Sequence, residues 1–274
     1  MPNAGGGALV VYVDAGDDRT ILEYAVQHLL PATVQVRLVT AGADSNAKLA
    51  AGQGDLAYFQ HIPAFEADRQ QHSYNDLSIV SKVNAVPYGL YSSKWRDLKD
   101  NSSWVHVGLV QDQISGTGLP HGSQVVLPAT PTGFARGLYL LQSAGVVRLD
   151  RPFGGTTAGD LTIGQGNVLD SARHLSLLAL NLDQDLRSIY DSYDAVVLSP
   201  EQAASIGLQP AKDALALEPG PANPYAHVLV APARLAGDAR VLELTHALES
   251  PQLAQFVRTT FHGADIPVTA ADAK

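Results

Sequence analysis

The chain has no cysteine among its 274 residues, and only 16% of its residues are charged. The absence of cysteine excludes disulfide bonds, thiolate metal sites and a cysteine nucleophile. No run of about 18–20 consecutive apolar residues occurs, so no membrane-spanning helix is expected. The net charge of -9 argues against nucleic acid and anionic membranes as partners, because both select clustered Lys and Arg.

The composition that is present belongs to a globular protein. Hydrophobic residues make up 46% of the chain, which is enough to form a substantial core. At this length one large domain or two smaller domains are both expected. The N-terminal sequence MPNAGGGALVVYV lacks the basic segment and long apolar run of a signal peptide, and its glycines suggest a tether.

The order of apolar patterns predicts an α/β protein. Residues 8–13 (ALVVYV) form a continuous apolar run typical of a buried strand, DDRTILEYAVQHLL has helical spacing, and TVQVRLV alternates like a second strand. Asp17 or Asp18 is the expected N-cap of that helix. A second series follows, with a helix in PTGFARGLYLLQSAG that ends near Gly145 and a strand, turn and helix in YDAVVLSPEQAASIGL. The repeated pattern predicts two α/β lobes.

The stretch GDLAYFQHIPAF, residues 54–65, combines aromatic rings with a glutamine and an imidazole. Core packing explains Phe59 and Phe65 singly, and His61 is explained singly as a loop histidine. Tyr58, Phe59 and His61 together are better explained as a ligand-binding wall, because binding sites combine apolar rings with a few polar groups.

Arg136 is a second candidate. It lies near the start of a mostly apolar helix, close to the turn PATPTG. A guanidinium beside exposed helix-start amides favours an anionic group such as a carboxylate. A surface salt bridge is the alternative explanation.

Other motifs give weaker signals. Three Gly-x-Gly pairs lack the full spacing of a nucleotide-binding loop, and no Gly-x-Ser-x-Gly elbow supports a serine hydrolase. The acidic sequence DAGDD after the first strand is explained by loop and N-cap acids, with a hard-cation or acid-base site as the alternative. The histidines show no metal-site spacing, so neither a metal nor a cofactor is expected.

Several segments in order resemble one family. NAKLAAGQGDLAYFQHIPAF, VPYGLYSSK, LPATPTGFARGLYLLQSAGVVRL, GLQPAKDAL and NPYAHVLVA are similar to the methionine-binding lipoproteins of bacterial ABC importers, the NlpA/MetQ family. The likeness runs from about residue 8 to residue 268. Its most specific motif is YFQH followed by a proline.

The resemblance implies a two-lobed periplasmic-binding-protein fold of type II, in which each lobe is a mixed sheet flanked by helices. Residues 1–88 and 223–274 would form lobe I and residues 89–222 lobe II, joined by two crossing strands that act as hinges. Such a protein is not an enzyme. It is a monomer that closes on a small-molecule ligand and delivers it to an ABC permease in the membrane. It works outside the cytoplasm, in the periplasm or on the outer face of the cytoplasmic membrane, although the family's lipid-carrying cysteine and signal peptide are absent from this sequence.

The resemblance also assigns roles to residues. Tyr58, Phe59 and His61 would line the site from lobe I and Tyr91 would lie near the crossover. Arg136 would hold the ligand carboxylate from lobe II, and rings would surround an apolar or thioether side chain.

The sequence departs from the family at positions that bind the ligand backbone. Expected asparagines are replaced by Ala129 and Gly133, by LSPE at residues 198–201 and by His227. Each lost amide contact costs about 1–3 kcal/mol unless it is replaced. Ser199, Glu201 and His227 are the candidate replacements, with Glu201 suited to an ammonium group. The ligand is therefore expected to be methionine or another small amino acid-like carboxylate.

Two alternatives remain open. An enzyme on the same scaffold would use His61, His227 and Glu201 for acid-base chemistry. An interaction protein would have lost its ligand and gained a contact through the segment at about residues 99–122, which is longer than in relatives and contains Trp104. That segment is expected to be an irregular excursion or small hairpin.

Overall fold

The computed structural model describes residues 7–99, 103–107, 111–115 and 117–269. They form two compact units. The first comprises the residues up to Ala85, then Gly220–Phe261 and the residues from Asp265 onward. The second comprises Val86–Pro219 and His262–Ala264.

Strands and helices alternate through most of the described chain. The strands are β1 (Leu9–Val13), β2 (Val36–Thr40), β3 (Leu56–His61), β4 (Leu77–Ala85), β5 (Gly89–Tyr91), β6 (Ser103–Val107), β7 (Gln111–Ser115), β8 (Gln124–Pro128), β9 (Arg148–Leu149), β10 (Val168–Asp170), β11 (Ser176–Leu180), β12 (Ala195–Leu198), β13 (Ala214–Leu217), β14 (His227–Pro232) and β15 (Ile266–Pro267). The α-helices are α1 (Asp17–His28), α2 (Ser45–Ala50), α3 (Ile62–His72), α4 (Pro131–Ser143), α5 (Ala158–Leu161), α6 (Leu186–Ser192), α7 (Pro200–Ser205), α8 (Pro210–Asp213), α9 (Ala239–Leu248) and α10 (Pro251–Phe261).

The first unit contains a six-stranded mixed sheet in the order β15-β4-β14-β3-β1-β2. Strands β2, β1 and β3 are parallel, as the β-α-β pattern predicts, whereas β14 is antiparallel to both β3 and β4. In β1 four of five residues are buried, because helices and neighbouring strands cover both faces. The predicted first strand, helix and second strand are confirmed.

Helix α1 begins differently from the sequence prediction. Its N-cap is Gly16, with no side-chain cap, so the prediction that Asp17 or Asp18 is the N-cap was wrong. Both acids lie in the first turn, where a carboxylate is stabilised by the helix dipole. The backbone begins the helix one residue earlier than the cap preference suggested, and this leaves the side chain of Asp18 for another contact.

The second unit contains a five-stranded mixed sheet in the order β11-β8-β12-β5-β13. Strands β11, β8 and β12 are parallel, whereas β5 is antiparallel to β12 and β13. Helix α4 packs on this sheet through a nearly continuous buried face, and Thr130 caps it by accepting a hydrogen bond from the Gly133 amide at 3.2 Å. The helix ends before Gly145, which has a φ of 74°, as the sequence predicts.

The segment at about residues 99–122 contains an antiparallel hairpin, β6 with β7. The sequence had left open whether this segment is an irregular excursion or a small hairpin. The side chain of Trp104 lies outside what the structure describes, so its proposed contact with a partner stays a prediction.

Candidate functional site

In the first unit, polar residues collect at the edge of the sheet where the parallel strands end. Asp14 follows β1 and His61 ends β3. His227 begins β14, and because β14 is antiparallel to β3 it pairs directly with His61 at the same edge. Ligands of α/β proteins bind outside the carboxyl ends of parallel strands, so the topology brings these predicted residues to a suitable place.

His61 has a defined local role. It is the N-cap of α3, and its Nδ1 accepts a hydrogen bond from the Ala64 amide at 3.1 Å. A ring nitrogen that accepts a backbone N–H carries no hydrogen, so the neutral ring has its hydrogen on Nε2. The centroid of the His61 ring lies 5.9 Å from that of Tyr225 and 6.2 Å from that of His227, and both contacts are edge-on.

His227 is bound to a buried carboxylate. Its Nδ1 lies 2.6 Å from Oδ2 of Asp18, a residue that is only 2% exposed. The other oxygen of Asp18 accepts a hydrogen bond from Asn84 Nδ2 at 3.1 Å, and the same nitrogen donates to Asp265 at 2.7 Å. Burial lowers the pKa of His227, but the hydrogen bond to Asp18 and the surrounding negative charges more than offset it, so the pKa is raised.

Asp265 closes this network from the side of β15. It is fully buried, and burial followed by the charge of Asp18 raises its pKa well above its usual range. Tyr58 completes the network, because its hydroxyl donates to Oδ1 of Asn84. The ring of Tyr58 is fully buried in the core, so its hydroxyl is the part that reaches the network, beside Asn84 and Asp18.

The remaining residues of the YFQH motif are held by internal contacts. Gln60 exchanges two hydrogen bonds with Asn46 of α2, at 2.9 and 3.1 Å, and this ties the helix to β3. Phe59 is half-buried and packs on the second apolar cluster of this unit. The motif therefore combines a structural clamp in Gln60 with partly exposed groups in Phe59 and His61.

In the second unit Arg136 is buried and faces a carboxylate of the protein itself. Its guanidinium forms two hydrogen bonds with Glu218, whose side chain is fully buried. A third bond runs to the carbonyl of Val86 at 2.8 Å, and the guanidinium lies 3.9 Å from the centroid of the Tyr88 ring. The surface salt bridge weighed for Arg136 is thus a buried bidentate pair. The role of Arg136 with a ligand carboxylate stays a prediction.

Glu218 also fixes the backbone around Tyr88. Its amide donates to the Tyr88 carbonyl at 2.9 Å, and its Oε2 accepts from the Tyr88 amide at 3.0 Å. The ring of Tyr88 lines two neighbouring cavities of about 450 and 350 Å³. Glu218 therefore holds both Arg136 and Tyr88 in place.

These two cavities lie where the parallel strands of the second sheet end. Residues after β8, β11 and β12 line them, together with the first turn of α7: Ala129, Thr130, Asn181, Asp183, Ser199, Glu201 and Gln202. Ser199 is the N-cap of α7 and forms a reciprocal pair with Gln202, at 3.1 and 3.2 Å. Glu201, in the same turn, is exposed. The structure thus brings two of the predicted replacements, Ser199 and Glu201, to one polar cavity.

Tyr91 lies in the core of the second unit. Its side chain is fully buried in β5, its hydroxyl has no hydrogen-bond partner in the described part of the chain, and burial raises its pKa. It is not among the residues that line the two cavities.

Sequence reasoning missed several residues of these sites. Asp18, Asn84 and Asp265 stand behind His227, and Tyr88 and Glu218 surround Arg136. The acidic run DAGDD had drawn attention to Asp18, but only the pairing of distant strands shows its partner, which lies 209 residues further on.

The sequence matches the family model described as NlpA lipoprotein over residues 9–269. The chain belongs to the NlpA lipoprotein family. This family consists of extracytoplasmic substrate-binding lipoproteins of ABC transporters, not of enzymes. The family predicted from the sequence is confirmed.

Relatives of the NlpA family with similar sequences include two named for methionine. The methionine-binding lipoprotein MetQ of Bacillus subtilis is 25% identical over 238 residues, which cover 86% of this chain and 78% of that protein. The D-methionine-binding lipoprotein MetQ of Yersinia pestis is 28% identical over 222 residues, covering 81% of this chain and 72% of that protein.

Solved structures of NlpA-like proteins share the fold. A nutrient-binding protein from Burkholderia cenocepacia bound to methionine is 26% identical, with a TM-score of 0.56 over 95% of this chain and 99% of that one. A periplasmic substrate-binding protein of an ABC transporter from Coxiella burnetii is 26% identical, with a TM-score of 0.59 over 95% and 100%. The predicted periplasmic-binding-protein fold, with mixed sheets flanked by helices, is confirmed. Among the helices of the described residues, none has the length and apolar character needed to span a membrane.

Proposed function

We propose that this protein captures methionine or another small amino acid-like carboxylate for an ABC importer. It binds the ligand outside the cytoplasm, in the periplasm or at the outer face of the cytoplasmic membrane, and delivers it to the membrane permease. The proposal is supported by membership of the NlpA family and by the methionine named for its relatives.

The observation that carries the proposal is the position of the polar residues. In each unit they lie at the carboxyl edge of the parallel strands, and in the second unit they line cavities of a size suited to a metabolite. In the first unit we assign Phe59, His61 and His227 to ligand contact. In the second unit we assign Ser199 and Glu201, together with Tyr88, whose ring lines both cavities. Tyr58 and Tyr91, which are buried, support the walls.

We assign Arg136 a supporting role in place of the carboxylate contact that the resemblance implies, because its guanidinium is paired with Glu218. Its charge is balanced by Glu218, and it stacks on the Tyr88 ring. The guanidinium holds the Tyr88 ring, which lines the cavities, in one orientation. Because Glu218 offsets its positive charge, Arg136 adds little net charge to the site.

One observation favours a ligand other than methionine. The cavities of the second unit are lined by the polar side chains of Asn181, Asp183, Glu201 and Gln202. A thioether forms weak hydrogen bonds and would leave such groups dependent on water. An amino acid with a polar side chain therefore fits as a second candidate.

The proposal is tested by identifying the ligand directly. Native mass spectrometry of the purified protein, before and after denaturation, is expected to release a small molecule with a carboxylate. Calorimetry with the twenty L-amino acids and D-methionine then ranks affinities. Glu201→Gln is expected to weaken binding about tenfold or more, because a charged hydrogen bond contributes about 1.5–3 kcal/mol. Glu243→Gln, the same exchange at an exposed position of α9, is the matched control and is expected to leave affinity unchanged.

The proposal fails if no small molecule is released and no member of the panel binds. Turnover of the bound molecule during incubation would instead favour the enzyme hypothesis. Equal affinities of the wild type and Glu201→Gln would remove Glu201 from the site but leave the proposed function in place.

A further inference from the structure

The Asp18–His227 contact fixes one imidazole at the edge of the first sheet. Asp18 is buried and receives hydrogen bonds from two sides, from Nδ1 of His227 at 2.6 Å and from Nδ2 of Asn84 at 3.1 Å. A carboxylate held by two donors has little freedom to move. The His227 ring is therefore held through Nδ1, with Nε2 as its remaining polar atom.

The charge state of His227 decides what Nε2 does. With Nδ1–H donated to Asp18, Nε2 of the neutral ring is an acceptor, whereas Nε2–H of the charged ring is a donor. The hydrogen bond to Asp18 on α1 and the negative charges of Asp18 and of Asp14 after β1 favour the charged ring. Asp265 beside β15 also faces the ring and adds to this effect only when it is ionised. The side chain is 19% exposed, and no residue in the described part of the chain forms a hydrogen bond with Nε2.

His61 provides a second donor beside it. Because Nδ1 of His61 accepts the Ala64 amide, the hydrogen of this ring is on Nε2. The centroids of the two rings are 6.2 Å apart. Two neighbouring N–H donors, one of them charged, are complementary to an acceptor with negative charge, and a carboxylate is the simplest such group.

Two acidic side chains at the same edge of the sheet limit how much negative charge a ligand can carry there. Asp14 is half-buried and Asp17 is exposed, and both lie in the segment that leads into α1. Burial and mutual repulsion with Asp18 raise the pKa values of both side chains. A dianion would add to this repulsion, whereas the ammonium group of a zwitterion would relieve it.

We propose that Asp18 is a positioning residue which orients His227 and favours its imidazolium form, and that His227 receives the carboxylate of a zwitterionic, amino acid-like ligand. This inference rests on the proposed function. It assigns a ligand class, amino acids with one net carboxylate charge, and a direction of pH dependence. Binding is tighter at mildly acidic pH, where His227 is charged, and weaker at alkaline pH.

The test is calorimetry at pH 5.5, 7.0 and 8.5 with the twenty L-amino acids as probes, followed by the decarboxylated amine of whichever binds most tightly. Wild-type affinity is expected to fall about tenfold between pH 5.5 and 8.5. The amine lacks the carboxylate, and its ammonium group stays charged over this range because its pKa is about 10, so it is expected to show little pH dependence. His227→Asn is expected to flatten the profile, and Asp18→Asn to move its midpoint to lower pH. His72→Asn, the same exchange at the exposed Asp68–His72 pair, is the control and is expected to keep the wild-type profile.

NMR of the histidine Cε1–H signals gives a readout that a purely structural role would not move. The midpoint of His227 is expected to fall in Asp18→Asn and to rise when the wild type is saturated with ligand. Asp18→Glu, which keeps the charge, is expected to restore part of the wild-type midpoint. Circular dichroism melts establish that each variant is folded.

Distinct outcomes separate this inference from the proposed function. If an amino acid binds with the same pH profile in the wild type and in His227→Asn, the inference is wrong and the proposed function stands. If no amino acid binds at any pH and no small molecule is released on denaturation, both are wrong.

Discussion

At the scale of the residue, Arg136 shows how a candidate binding group is satisfied within its own unit. The sequence singled out an arginine in an apolar helix, and the structure pairs it with Glu218, 82 residues away in the chain. No local pattern links the two. Because its guanidinium is bound to Glu218 and stacked on the Tyr88 ring, Arg136 is a fixed part of the second unit. The contribution of these contacts can be measured as a free energy of unfolding.

Breaking the Arg136–Glu218 pair from one side should be costly. Glu218→Gln leaves a buried guanidinium without its counter-charge, and such changes cost about 3–5 kcal/mol of unfolding free energy. The double variant Arg136→Met with Glu218→Leu should cost much less, because no buried charge remains. Urea titrations followed by circular dichroism give the free energies.

The exposed pair Arg187–Asp191 on α6 is the control for that experiment. Its side chains are 63% and 50% exposed, so Arg187→Gln should change stability by about 0.5 kcal/mol or less. Equal effects of Glu218→Gln and Arg187→Gln would contradict the view that the buried pair holds this part of the unit.

His61 should separate a structural role from a binding role. His61→Ala removes the cap of α3 and should cost about 0.5–1 kcal/mol, whereas His61→Asn keeps a cap acceptor and should be as stable as the wild type. Both variants lose the Nε2–H donor, so both should bind ligand more weakly. Thermal melts and calorimetry on the same samples check this prediction. A His61→Asn protein with full affinity would show that the imidazole is a cap and nothing more.

At the scale of the element, local patterns predicted the regular parts of both sheets and most helices. The helices α1 and α4 and the strands β1, β2 and β12 have long periodic or continuous apolar signals, and all were found. β11 and β13 were missed, because both are edge strands with mixed exposure, and their pairing with β8 and β5 is non-local.

The candidate site residues depended on other signals. His61 was proposed for the mixture of rings and polar groups around it and Ser199 as a replacement for an expected asparagine, and the structure shows that each is the N-cap of a helix. Asp18 and Glu218 were not assigned, because their roles depend on strands that meet only in the folded chain. The N-cap of α1 was misassigned for a related reason: Asp18 contacts His227, which lies 209 residues further along the chain, and does not cap the helix.

Helix α4 offers a test of how closely it packs on β8. A Cβ at Gly137 would lie 2.3 Å from Cδ2 and 3.0 Å from Cγ of Leu127. Gly→Ala inside a helix normally stabilises by about 0.5–1 kcal/mol, but overpacking costs about 1–3 kcal/mol. Gly137→Ala should therefore destabilise the protein, as measured by its midpoint in urea.

Gly166→Ala is the matched control for the helix test. A Cβ there meets no atom within 4 Å, so the change should be neutral or slightly stabilising. If Gly137→Ala proved as stable as Gly166→Ala, Leu127 would have moved without cost, and α4 would not be fixed against β8 by this close approach.

At the scale of the whole molecule, the buried titratable groups predict how stability varies with pH. Burial raises the pKa of Asp265 well above its usual range, so the folded protein holds a proton that the unfolded chain has released. Stability should therefore decrease as pH rises above about 4. The raised pKa of His227 acts in the same direction, with its contribution complete below about pH 6.5 and lost as pH rises through the folded-state value.

Carboxyl groups whose pKa is lowered in the folded protein reduce its stability at low pH. The hydrogen bond from Arg240 holds the pKa of Asp238 below its usual range, so that contribution is lost as pH falls through the folded-state value. Stability should therefore be highest at mildly acidic pH, between the two losses. Urea titrations at intervals from pH 4 to 9 give the curve.

Asp265→Asn identifies the group responsible for the alkaline decline. An amide of the same shape can still accept the hydrogen bond from Asn84 and has no proton to lose, so the variant should gain about 1 kcal/mol or more over the wild type at pH 8 and little at pH 4. Asp170→Asn, at an exposed position of β10, should leave the curve unchanged. A decline of the same slope in Asp265→Asn would show that this carboxyl is ionised in the folded protein. Asp18 and Asp265 would then be two carboxylates that accept hydrogen bonds from the same nitrogen, Nδ2 of Asn84. Among the described residues, His227 would supply the positive charge in contact with Asp18.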